Sequence, residues 1–162
     1  STRIQMSQQG TRAFYQITET IKNQLLADVS VNTVTFGNIT DIDLSKQTMF
    51  PLSHIIVNNV SFPDNTVSFN ISILSMDIVD VSKDETTDIF VGNNNEHDIL
   101  NTQLEVQNRL MQEIKRGSLF SSQYQLEGVA NCEPFTDRFE HQVAGWAITF
   151  DLVTFNDISI CD

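Results

Sequence analysis

The chain has 162 residues, enough for one domain with a sizeable core and too few for a second. Nine Lys and Arg stand against 21 Asp and Glu, a net charge of −12 that excludes a general electrostatic grip on DNA or on an anionic membrane. Apolar residues make up 40% and charged ones 19%, a globular composition, and no apolar run approaches the roughly 18 residues of a membrane span.

Ser1 to Gly10 is polar and has none of the apolar stretch that a signal peptide carries. From Thr11 to Leu26, Phe14, Ile17, Ile21 and Leu25 recur at three- and four-residue steps, predicting an amphipathic helix of about four turns. Asp28 to Ser30 closes it. Val29–Val31 and Val34–Phe36 are short and β-branched, read as strands broken at Gly37-Asn38. Ile39 to Leu44 alternates as a strand or a half-buried extended loop would. Ser45 to Leu52 is read as connection, with Pro51 barred from a central sheet position.

Between His54 and Val81 the pattern predicts a β-hairpin, with Pro63-Asp64-Asn65 supplying the turn. In its second arm Val67, Phe69, Ile71 and Ile73 share one parity, and Leu74, Met76 and Ile78 then take the other. A strand changes its buried face only through a bulge, a twist or a second covered surface. The arm is therefore expected to leave its own sheet near Ser75 and reach outward. Asp77 to Asp98 follows as an acidic loop of about 20 residues, long for a compact domain. Ile89-Phe90-Val91 forms an apolar island inside it.

A second helix is expected from Asn95 or Glu96, with Asn95 and Asp98 as a capping box. Leu100, Leu104, Met111 and Ile114, with Val106 and Leu110 beside them, would form its buried face. Lys115, Arg116 and Gly117 make a suitable end. Ser118 to Ala130 reads as β, and Asn131 to Arg138, with Pro134, as a connection. Ala144, Trp146, Ile148, Phe150 and Leu152 then alternate as the clearest strand, Gly145 marking a close backbone approach. Phe155 to Asp162 would trail along an edge. The order gives a single α+β domain over 1–162: an antiparallel sheet with a long β-hairpin, two helices packed on one face, and an extended hairpin and acidic loop at about 74–97.

Catalytic chemistry finds little support. His54, His97 and His141 are far apart and in no ligand motif, each read as a surface or boundary residue. Cys132 and Cys161 are read as reduced thiols in preference to a disulfide. Asp41, Asp43 and Ser45 have calcium-like offsets without the turn-forming Gly, and read as a solvated acidic face. Sequons at Asn38, Asn59 and Asn70 are of the kind that an Asn/Ser/Thr-rich chain produces by chance. No enzyme, cofactor or metal site is expected. Trp146 reads as core.

The order of elements, with Phe50-Pro51-Leu52, Met76-Asp77-Ile78-Val79-Asp80 and Val143-Ala144-Gly145-Trp146, resembles the tail-terminator and tail-completion proteins of tailed bacteriophages. These strings also resemble stretches in structural proteins of phages infecting Bacteroidetes. The resemblance implies a virion protein, made in the host cytoplasm, that forms a ring with copies of itself at the neck or tail, a terminator or head–tail connector. Other neck and tail proteins, on the portal-adaptor or tail-tube side, would adjoin it, and DNA would pass through the lumen without specific binding. No membrane is involved. Leu74, Met76, Ile78, Ile89, Phe90 and Val91 are the expected subunit interface, and Asp80, Asp84, Glu85 and Asp88 the expected lumen-facing carboxylates. The alternative is a non-catalytic extracellular or virion-surface binding module.

Overall fold

The computed structural model describes residues 2–38, 49–80, 90, 95–115, 125–138 and 142–155. Its elements are α1 (Thr2–Leu26), β1 (Thr33–Phe36), β2 (Leu52–Ser61), β3 (Thr66–Ile78), α2 (Glu96–Lys115), β4 (Gln125–Arg138) and β5 (Gln142–Phe155). The strands form one open five-stranded sheet in the order β1-β2-β3-β5-β4. Three of its four pairings are antiparallel, but β1 runs parallel to β2, from Thr33 opposite Leu52 to Phe36 opposite Ile55. The α+β expectation holds, with a mixed sheet in place of a purely antiparallel one.

Both helices cover one face of that sheet. Ile17, Ile21 and Leu25 of α1 and Val106, Leu110, Met111 and Ile114 of α2 pack on Ile55, Phe69, Ile71, Ile73, Ile148, Phe150 and Leu152. The sheet residues in this set keep one parity along each strand, so burial fixes the register: a one-residue slip would turn all of them outward. The hairpin turn falls where Pro63-Asp64-Asn65 placed it. Asn65 takes a left-handed φ of 57°, a conformation Asn tolerates better than most residues.

Val29 to Val31 forms a turn, not a strand. Asp28 terminates α1 by accepting the Ser30 amide at 2.9 Å, while Val29 stands 99% exposed. The same carboxylate receives Nε and Nη2 of Arg109 at 2.7 and 2.8 Å, a two-pronged pair joining the end of α1 to α2. Burial alone would raise the Asp28 carboxyl; the Arg109 and Ser30 hydrogen bonds outweigh it and hold the group below its usual 3.8. The pair therefore stabilises the fold above that value, and the contribution is lost as pH falls through the lower folded-state value. Replacing Arg109 by Met is expected to cost about 1 kcal/mol near neutrality, because Arg109 is itself half-exposed. Urea melts across the acid range should also show a flatter acid limb in the variant.

The Asn131–Arg138 connection is part of a strand. It continues β4 along β5 down to Arg138 opposite Gln142, after a bulge in which Gly128 to Ala130 face a single residue. Pro134 is tolerated because β4 is an edge strand and needs no amide on its open side.

Candidate functional site

The hairpin arm does not leave its sheet. β3 stays paired with β5 to Ile78 opposite Val143, and with β2 to Met76 opposite Leu52. The parity change at Leu74 marks a strand covered on both faces at this end. Met76 is fully buried with Phe50, Leu52 and Val143 on the face away from the helices, and Leu74, Ile78, Met49 and Phe135 pack around them. Leu74, Met76 and Ile78 thus belong to a second core within the chain. The expectation that they form a subunit interface is corrected here: Phe50, Leu52 and Val143, with Met49 and Phe135, pack against them within the chain.

Beyond β3 the chain is drawn in at Asp80. The Asp80 amide donates to Asn95 Oδ1 at 2.6 Å, and the Asn95 amide returns to the Asp80 carbonyl at 3.1 Å. Asn95 therefore spends its side chain on closing the base of the acidic segment, not on the capping box expected of it, although its carbonyl does accept the Ile99 amide. Asp80 is exposed at this junction. Phe90 is 86% exposed and meets the His97 ring edge-on at 5.6 Å. Asp84, Glu85, Asp88, Ile89 and Val91 lie outside the described residues, as do Asp41, Asp43, His141 and Cys161.

Other apolar side chains project where the sequence did not point. Phe62, just past β2, is 73% exposed, and Val129, thrown outward by the β4 bulge, is 82% exposed. Phe14 gathers Phe36 and Tyr15 edge-on at 5.9 and 6.2 Å, both rings largely in solvent. The sheet edges themselves are blunted. β1 is only four residues long, and β4 carries a bulge, Pro134 and the exposed carboxylates Glu127 and Glu133. These edges therefore resist the addition of a further strand.

The interior holds polar groups that periodicity concealed. Gln107, 1% exposed, donates through Nε2 to the Ile73 carbonyl, Ser75 Oγ and the Trp146 carbonyl at 3.0, 3.3 and 2.7 Å. Its Oε1 accepts the Cys132 thiol at 2.7 Å. Burial pushes that thiol up, so Cys132 stays protonated at neutral pH and is a poor nucleophile. It is a free cysteine. Trp146 donates its indole N–H to the Leu100 carbonyl at 2.7 Å, locking α2 to β5. Among the described residues, Ser53 Oγ and Gln103 Oε1 are buried with no hydrogen-bond partner.

The α2 stripe is Ile99, Gln103, Val106, Gln107, Leu110, Met111 and Ile114, leaving Leu104 exposed and Leu100 half-buried. The two glutamines stand four residues apart in phase with Ile99, Val106, Leu110 and Ile114, a spacing that identifies them once polar residues are admitted to the stripe. His54 is another correction: it lies fully buried in β2, in phase with Leu52, and is no boundary residue.

Among the described residues, no His, Cys, Asp and Glu group is placed to hold a metal ion, and no helix is long and apolar enough to cross a membrane. The chain matches no protein-family model and no curated protein.

Proposed function

We propose that the chain is a structural virion subunit that assembles with its own copies into a ring at the neck or tail of a tailed bacteriophage. The ring joins tail to head and leaves a lumen for DNA. One observation carries the reading: among the described residues, the large apolar side chains Phe62, Phe90 and Val129 are 73%, 86% and 82% exposed, outside the three buried clusters. Cyclic assembly buries such groups through heterologous contacts that close on themselves. The blunted sheet edges support closure too, since neither favours an endless cross-strand stack. A net charge of −12 suits a conduit, because carboxylates facing the duplex repel phosphates and DNA slides without adhering.

Mass photometry of the purified chain, alone and at rising concentration, is expected to reveal a closed multimer. Replacing Phe90 and Val129 together by Ser should shift the population to monomer while changing the subunit's unfolding free energy by only about 0.5 kcal/mol, as exposed positions do. A chain that remains monomeric up to millimolar concentration overturns the reading. So does a loss of several kcal/mol from the double substitution, because these side chains would then be core.

A further inference from the structure

β1 is a four-residue edge strand; beyond its ladder to β2, Val34 packs on the main core, Phe36 meets Phe14, and one imidazole takes up its polar groups. His54, fully buried on β2, has Nδ1 at 2.7 Å from Thr35 Oγ1 and Nε2 at 2.7 Å from the Gly37 carbonyl. The carbonyl can only accept, so Nε2 bears the proton and Nδ1 accepts from the Thr35 hydroxyl. Gly37 has a φ of 110°, a backbone conformation that a side chain resists, and from there its carbonyl meets the ring while its amide donates to the Ile55 carbonyl at 3.1 Å. The C-terminal end of β1 is thus tied to one neutral ring.

A second proton on this ring is poorly received. Nδ1 would become a donor, and the Thr35 hydroxyl would have to turn and find another acceptor. The charge would also lie among uncharged neighbours: Thr35 and the Gly37 carbonyl on β1, Leu52 and Ile56 flanking it on β2, and Leu74 opposite on β3. No titratable side chain on these described elements faces it. Asp41, Asp43 and Lys46 belong to the segment joining β1 to β2, outside the described residues.

We propose that His54 is a proton-operated latch: neutral, it fastens β1 to the sheet; on protonation the strand swings free and bares the outer edge of β2. The sign follows from linkage. Burial, opposed only in part by the Gly37 hydrogen bond, keeps the imidazole below its usual 6.5. The opened state therefore binds the proton more tightly, so the latch is closed above 6.5 and yields as pH falls beneath it. Asp77, half-buried on β3 and pushed up by burial, acts in the opposite sense and cannot mimic this loss.

The test is amide exchange on the full chain, corrected for the intrinsic pH dependence of exchange, with the His54 ring followed by NMR. Protection of the Thr33 and Gly37 amides, which bond the Pro51 and Ile55 carbonyls, is expected to fall between pH 7.5 and 5 while β3 and α2 stay protected. His54→Gln should make β1 protection independent of pH, whatever its level. Asp41→Asn with Asp43→Asn should leave the trend in place. A ring that titrates at or above 6.5 overturns the proposal even if the glutamine variant fails to fold. Opening of β1 only together with β3 and α2 overturns it as well, as does a pH dependence that survives in His54→Gln or vanishes in the double Asn variant.

Discussion

Gly145→Ala is expected to be among the most destabilising single substitutions available to this chain, at roughly 3–5 kcal/mol. Gly145 lies in β5 opposite Met76 of β3 and Phe135 of β4, near the Ile78–Val143 end of the pairing that joins the two sheet halves. A methyl group built there would collide with the Ser75 carbonyl oxygen and come within 2.8 Å of both Met76 Cα and the Ser75 carbonyl carbon. All three are backbone atoms, so no rotamer change relieves the clash. β3 and β5 would have to separate, disturbing Met76 and Val143 in the second core and Ala144 beside it. Gly128→Ala is the control. Its φ of 70° imposes about 1–2 kcal/mol of strain, but nothing lies within 4 Å of the added methyl. Urea melts of the two variants should therefore separate widely. Equal midpoints would mean that β3 and β5 lie farther apart at Gly145 than the structure has them.

That crossing was legible in the sequence because Gly145 interrupts an otherwise bulky alternation from Ala144 to Leu152, and alternation is what a half-buried strand displays. The α1 stripe and the hairpin turn were legible for the same reason: each is a local pattern with a local cause. Three features escaped because their causes are not local. Pro134 looks like a loop residue, yet an edge strand accepts it, and which strand lies at the edge is decided by pairing far along the chain. The parallel pairing of β1 depends on residues 19 positions apart, such as Thr35 and His54, and no short turn announces it. The parity switch at Leu74 was visible, but its explanation was not. Phe50, Leu52 and Val143 arrive from both directions to cover the second face, making a fully buried strand end where an outward arm was expected.

Polar residues inside the core form the remaining blind spot, and they carry the second large effect. Gln107→Leu is expected to cost roughly 2–4 kcal/mol, although leucine fills similar volume and suits the stripe. The substitution takes a donor from Ser75 Oγ and from the carbonyls of Ile73 and Trp146, and an acceptor from the Cys132 thiol, all at the seam of α2, β3, β4 and β5. Replacement by an apolar isostere is mild only when both partners become apolar, and here the backbone carbonyls remain. Gln107→Glu tests the same point through charge. At neutral pH it sets a buried carboxylate against two carbonyl oxygens, at a cost of roughly 3–5 kcal/mol. Burial raises such a carboxyl above its unfolded value, so the folded chain binds the proton more tightly and stability should recover as pH falls. Unfolding midpoints for Gln107→Glu at about pH 8 and pH 5 should thus run opposite to the acid-side loss anticipated from Asp28. If the glutamate variant matched the parent at pH 8, the Gln107 side chain would have to reach solvent, and the network joining α2 to the sheet would not be what holds them together.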